Sequence, residues 1–201
     1  KIGGMNTFTR VCLIRHGETD WNREKRVQGQ IDIDLNAKGE AQAQALALAL
    51  REFRFAAAYS SDLARAWRTA QIALADFEVA VVPAPTLRER HFGILQGLTA
   101  AEAAVANPSA HRRHMERNPD FDYETGESLN IFADRVLAGL GALATRHAGS
   151  SFVAFTHGGV LDVMYRAATG RRIDAPRDFL LGNAALNWLE YRAGKWHVIA
   201  W

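Results

Sequence analysis

The amino-acid sequence predicts an α/β fold with a largely parallel sheet covered by helices on both faces, and three observations carry that prediction. Short, β-branched apolar runs alternate with longer segments of helical composition. The runs stop at polar, glycine-containing stretches, as buried strands do where they enter loops. The chain has 201 residues, 48% hydrophobic and 23% charged, enough for one sizeable core, so residues 5–201 are expected to form a single domain.

The elements follow in order. Phe8 to Ile14 is apolar and β-branched and reads as the first strand. Ala41 to Leu50 alternates Ala with Gln or Leu, which taken literally is a strand period. Helix is nevertheless predicted, because Asn36 is a good N-cap, Ala and Leu are strong helix formers, and Ala43, Leu46, Leu50 and Phe53 share one helical face. Ala56 to Ser60 is the second strand, and Asp62 to Leu74 a helix that Asp62 is expected to cap. Glu78 to Pro83 is the third strand and Ser151 to Thr156 the fourth, which enters Gly158-Gly159 and a helix up to Thr169. Trp188 to Arg192 and Trp196 to Trp201 read as a closing hairpin around Ala193-Gly194. Between Arg88 and Ser128 the pattern breaks at Pro108, Pro119, Gly126 and many charges, so about 90–127 is expected to be a helical lid insertion. No internal repeat or low-complexity tract is present.

Composition narrows the function classes. A net charge of +2 is too small to argue for nucleic acid, and it suits a small anionic substrate equally well. Cys12 is the only cysteine, so no internal disulfide is expected, and the count fits a reducing, cytoplasmic setting. No apolar run of about 18 residues occurs, so no membrane-spanning helix is expected. Residues 1–4, ahead of Met5, lack the pattern of a signal peptide and read as an expression scar. The Trp-bearing terminal hairpin leaves a homodimer open as an expectation.

In sheets of this kind ligands bind beyond the carboxyl ends of the strands. The residues there form a set: Arg15-His16-Gly17 after the first strand, Ser60-Ser61-Asp62 after the second, Glu89 beyond the third, and His157-Gly158-Gly159 after the fourth. Transfer of a phosphate monoester needs its two negative charges held while a nucleophile lines up with the leaving oxygen. Arg15 and Arg65 supply planar, permanently charged forks for this. A neutral imidazole near its ordinary pKa makes His16 a candidate nucleophile. Glu89 is the carboxyl group best placed by sequence to protonate the leaving alkoxide and then activate water. His157 is expected across the pocket, stabilising the equatorial oxygens when protonated. Backbone N–H groups near Gly17 and Gly158 can approach an anion closely.

The run Leu13-Ile14-Arg15-His16-Gly17-Glu18-Thr19, with Trp21-Asn22, Arg26 and Gln28-Gly29, resembles the signature of the histidine phosphatase superfamily, also called the phosphoglycerate mutase-like family. Four more segments agree in order: Ser60 to Ala66, Leu87 to Gly93 with Gln96-Gly97, Gly126-Glu127-Ser128, and Thr156 to Gly159. The resemblance spans residues 12–160 and implies a three-layer α/β/α sandwich. It further implies a phosphohistidine at His16, a phosphate pocket of Arg15, Arg65 and His157, Glu89 as proton donor, and no metal or other cofactor. Asn22, Gln28, Gly29 and Gly158 are implied to line the phosphate and substrate side. The implied partner is a small phosphorylated metabolite, with neither nucleic acid nor membrane.

Two departures bear on the reaction. Mutases of this family carry Tyr where Phe92 stands and Lys shortly after the Leu-Gln-Gly run, where this chain has Thr99, Ala100 and Ala101. The lid also looks shorter than in the mutases, and a mutase must keep its intermediate dry. Phosphatase is therefore favoured, with phosphoglycerate mutase as the alternative and a non-catalytic phospholigand-binding protein as a third reading. His111 and His114, three apart, lack an evident third metal ligand, and Arg112, Arg113 and Arg117 read as a solvated face, with contact to an acidic substrate as the alternative. Cys12 stands too close to Arg15 for the loop of a cysteine phosphatase and reads as core.

Overall fold

A computed structural model describes residues 7–201; residues 1–4 with their expected scar, and Met5 and Asn6, lie outside the described residues. Six strands form one sheet: β1 (Thr9–Arg15), β2 (Ala57–Ser60), β3 (Val81–Pro83), β4 (Ser151–Thr156), β5 (Leu186–Arg192) and β6 (Lys195–Ala200), in the order β3-β2-β4-β1-β5-β6. The first four strands pair in parallel, and the terminal hairpin continues the sheet antiparallel to β1. Its turn places both Ala193 and Gly194 at positive φ, the geometry a two-residue hairpin loop requires. Among the described residues seven α-helices accompany the sheet: α1 (Asp20–Arg23), α2 (Ala37–Leu50), α3 (Ala64–Ala73), α4 (Ala100–Ala106), α5 (Pro108–Met115), α6 (Leu129–Arg146) and α7 (Gly158–Thr169).

Side-chain alternation along β1 and β4 builds the three layers. Val11, Leu13, Phe152 and Ala154 face one way, into a core completed by Phe132, Val136 and Leu140 of α6 and Val160, Leu161 and Met164 of α7. Cys12, Ile14, Val153 and Phe155 face the other way, against Leu46 and Leu50 of α2 and Ala70 and Ala73 of α3. Asn36 caps α2 as expected, accepting from the Gly39 N–H at 2.9 Å. Cys12 lies fully buried there, and burial pushes its thiol pKa far up, so it stays a protonated core residue.

Three local expectations need correction. Asp62 does not cap α3: its carboxylate is held by the Arg88 fork at 2.6 Å on both oxygens, and Asp32 accepts from the Ala64 N–H at 2.7 Å instead. The third strand is shorter than expected, beginning at Val81. The longest helix, α6, fills a stretch for which the sequence predicts no element, although Ser128 caps it and Leu129, Phe132, Val136, Leu140 and Leu143 recur at helical spacing. Its Gly139 and Gly141 dilute the helical signal, and Gly139 is needed because a Cβ there would press on Thr86. The lid has its own small core of Leu95, Ala103, Ala110 and Tyr123. Among the described residues no helix is long and apolar enough to cross a membrane.

Candidate active site

Sheet register assembles the site. In the parallel pairing of β1 with β4, Arg15 stands opposite Thr156, so the next residue of each strand, His16 and His157, leaves the same edge side by side. Their rings lie 5.3 Å apart, and both are almost completely buried. From β2 the chain continues through Ser60 and Ser61 into α3, whose first turn carries Arg65, 1% exposed. Glu89 sits between the 3-10 turn Pro85–Leu87 and the lid, and α7 starts beneath it.

Hydrogen bonds fix how these groups are presented. His16 Nδ1 lies 2.7 Å from the Gly17 carbonyl oxygen, which can only accept. Nδ1 therefore carries the proton and Nε2 the lone pair, the form a nucleophile requires. Burial first, then the charges of Arg65 and Arg15, hold the His16 pKa well below 6.5. The expectation of an ordinary imidazole pKa is thus corrected, in the direction that secures a neutral ring at pH 7. His157 is shifted the same way by burial, Arg65, His16 and Arg15, so it does not enter the resting site as a cation. Its Nε2 lies 2.7 Å from the Ser61 hydroxyl.

Arg65 donates from Nη1 to the Ile31 carbonyl at 3.0 Å and from Nη2 to the Gly29 carbonyl at 2.6 Å. Burial lowers its pKa to about 10, which leaves it charged at neutral pH. Arg15 spends one Nη on the Leu181 carbonyl, and its Nε lies 3.4 Å from where a Cβ on Gly158 would stand. Buried donors without a protein partner are rare, yet Arg15 Nε, Arg65 Nε and His157 Nδ1 have none among the described residues. Three polar nitrogens around one imidazole are thus unsatisfied at a place suited to an anion.

Glu89 accepts from the Arg90 N–H at 2.8 Å and, at the start of α7, from the Gly159 N–H at 3.0 Å. It pairs with neither neighbouring guanidinium: Arg88 is taken by Asp62, and Arg90 donates to the Glu127 and Phe121 carbonyls. Glu127 grips Arg135 through both oxygens, at 2.7 and 2.8 Å, and Arg135 reaches the carbonyls of Thr86, Arg88 and Glu89. The Gly126-Glu127-Ser128 segment thereby anchors the Glu89 loop as well as capping α6.

The remaining sequence candidates make mostly local contacts. Asn22 forms a capping box with Thr19, and the Gln28 side-chain oxygen accepts from the Thr19 hydroxyl at 2.8 Å. Gly29, at φ +54, has the side chain of Gln96 packed where a Cβ would go, and it reaches the site by holding Arg65. His114 bonds the Tyr123 hydroxyl at 2.8 Å, and no group of three or more His, Cys, Asp or Glu able to hold a metal occurs among the described residues.

Long-range contacts add detail that local sequence does not carry. Ser61, already one of the residues beyond the second strand, meets His157, whereas Asn183 has no local signal and enters because its amide donates to the His16 carbonyl at 2.9 Å. The segment 171–185, between α7 and β5, supplies a second lip: Arg177, Phe179, Leu180 and Leu181 line a cavity of about 420 Å³ with Arg15 and Glu89.

Comparisons with known proteins place the chain among relatives. A metal-independent phosphoserine phosphatase of Arabidopsis thaliana is 41% identical over 196 residues, covering 96% of this chain and 81% of that relative. Phosphoglycerate mutase-like protein 4 of the same plant is 37% identical over 198 residues, covering 96% and 85%. The solved structure of a mycobacterial glucosyl-3-phosphoglycerate phosphatase superposes with a TM-score of 0.85 at 29% identity, covering 96% of this chain and 98% of that one. The model of the histidine phosphatase superfamily (branch 1) matches residues 11–201, and with paired histidines at the ends of β1 and β4 this chain belongs to that superfamily.

Proposed function

We propose that the chain is a metal-independent phosphomonoesterase that hydrolyses a small phosphorylated metabolite, of the phosphoserine class, through a phosphohistidine at His16. The observation that carries the reading is the neutral His16 ring, Nε2 free, set among three buried, unpartnered nitrogen donors. In the first step the Nε2 lone pair forms a bond to phosphorus, the bond to the ester oxygen breaks, and the leaving alkoxide takes a proton from Glu89. In the second, Glu89 takes a proton from water, whose oxygen attacks phosphorus and frees Nε2. Arg15 Nε, Arg65 Nε and His157 Nδ1 donate to the equatorial oxygens throughout. With the Ser61 hydroxyl donating to Nε2 of His157, Nδ1 carries the hydrogen those oxygens need.

Hydrolysis is favoured over mutase chemistry on two counts. Where the mutases carry lysine this chain has Thr99, committed to a capping box with Glu102, and the apolar Ala100 and Ala101, and Phe92 brings no hydroxyl to the cavity it lines. The phosphoserine and glucosyl-3-phosphoglycerate relatives are, by name, phosphatases. The test is hydrolysis of an aryl phosphate with a chelator present, alongside 3-phosphoglycerate with a bisphosphoglycerate primer. Release of phosphate faster than formation of 2-phosphoglycerate is expected; the reverse order makes the chain a mutase.

Gly159→Ala probes the acid–base role. A Cβ there would overlap Glu89 Oε1, so the carboxyl must move from its seat on the α7 N-terminus. The expected result is a kcat/KM loss of about 10²-fold for an alkyl phosphate and a smaller loss for an aryl phosphate, whose leaving group needs less protonation. Steady-state kinetics on the two esters measure it.

A further inference from the structure

A second cavity of about 420 Å³ adjoins the first, and the two share Phe92, Gly159 and Arg177 as walls. It runs under the lid residues Phe92, His114, Met115 and Arg117 and begins at Gly159, whose N–H holds Glu89. Its apolar walls are Leu129, Phe132 and Met115, and its charged ones are Arg90, Arg117 and Arg177.

Those guanidinium groups are held in an unbalanced cluster. Asp162 of α7, 3% exposed, accepts from Arg117 of the lid at 2.8 Å, from Arg166 of its own helix at 3.0 Å, and from Arg177 of the 171–185 segment at 2.9 Å. One carboxylate thus serves three cations. Burial pushes its pKa up, but the three guanidinium groups more than reverse this and hold it below the ordinary carboxylate range, so it remains charged. Arg166 is also buried, with one Nη lacking any partner among the described residues. Arg90 adds a fourth cation bonded only to backbone carbonyls and stacked on Phe92 and Tyr123. Positive charge therefore exceeds negative around this cavity, and Glu89 is the only acidic side chain lining either chamber among the described residues.

We infer that the alcohol part of the substrate carries a carboxylate, which docks on Arg177, a wall of both cavities, and on Arg117, a wall of the second, while an ammonium group on the same carbon has no dedicated partner. The inference rests on the phosphatase reading and refines it. The Asp162 hub fixes Arg177 and Arg117 in advance, so a bidentate carboxylate meets oriented forks rather than flexible side chains. The same carboxylate joins the lid to the 171–185 segment, which ties docking to the two lips of the site. Removal of Arg177 leaves Asp162 still paired with Arg117 and Arg166, so this variant keeps its buried carboxylate compensated.

The experiment compares O-phosphoserine, 2-phosphoglycolate and O-phosphoethanolamine on the full chain, with an aryl phosphate as a control for turnover. O-phosphoserine and 2-phosphoglycolate are expected to agree in kcat/KM within about tenfold, and O-phosphoethanolamine to fall at least about 50-fold below them, mostly through KM. Arg177→Gln is expected to lower the phosphoglycolate to phosphoethanolamine ratio by at least about 20-fold, and Arg177→Lys to restore part of it. Comparable rates for phosphoethanolamine and phosphoserine, or an unchanged ratio in Arg177→Gln, overturn the carboxylate site while the aryl control still turns over. Failure of the wild type on every ester, the aryl control included, overturns the phosphatase reading itself and this inference with it.

Discussion

Replacing His16 with Ala is expected to lower kcat/KM for phosphomonoesters by about 10⁵-fold, because the attacking atom itself is lost. The fold should survive: the ring is buried, but its one bond is local, from Nδ1 to the Gly17 carbonyl. The same ring sets a pH signature. With its pKa held well below 6.5 by burial, Arg65 and Arg15, the acid limb of the kcat/KM profile is expected below the ordinary histidine value. Linkage gives the matching stability effect. Below about pH 6.5 an unfolded chain takes protons on His16 and His157 that the folded chain refuses, so stability present at pH 7 and above declines on acidification. Urea midpoints at pH 7.5 and 5.5, compared between the wild type and His16→Ala, check the sign: the drop should be smaller in the variant.

Arg65→Lys is expected to lower kcat/KM by about 10²–10³-fold, the range found when a preorganised donor to a transition-state oxygen is removed. Arg65 anchors both Nη atoms on the Ile31 and Gly29 carbonyls, and that anchoring aims Nε at the site. Lysine keeps the charge but cannot span three positions, so it either abandons the two carbonyls or leaves the phosphate. Stranding buried carbonyls costs about 1–3 kcal/mol each, so some loss of stability accompanies the kinetic effect. A purely structural Arg65 would give a lower melting temperature with kcat/KM unchanged at temperatures where the variant is folded.

Much of this site is legible in the sequence because it depends on strand ends. A buried apolar run that stops at Arg15-His16-Gly17, and another at His157-Gly158-Gly159, places two imidazoles at one edge once the strands are parallel neighbours. Local chemistry likewise reveals the Asn36 cap and the Ala193-Gly194 turn. What stays hidden is settled by partners far away in the chain. Asp62 has the composition of a cap, but Arg88, 26 residues on, competes for it more strongly, and Asp32, 32 residues before Ala64, takes the capping role. Arg117 looks like part of a solvated basic face with Arg112 and Arg113, yet a buried Asp162 45 residues away claims it. The 171–185 segment lacks periodicity altogether, so its cavity-lining residues carry no local signal. The α6 helix differs in kind, since its apolar residues are spaced helically and two glycines dilute the signal.

Covalent chemistry at one nitrogen, Nε2 of His16, is the step on which the proposed reaction depends. Wild type and Glu89→Gln, mixed with an aryl phosphate, quenched within milliseconds and digested at alkaline pH, should yield a phosphorylated peptide containing His16. The label should be stable to base and lost in acid, and it should accumulate further in Glu89→Gln, where water is not activated. Phosphate release with the label on a different residue, or with no labelled peptide in either protein, would contradict the account.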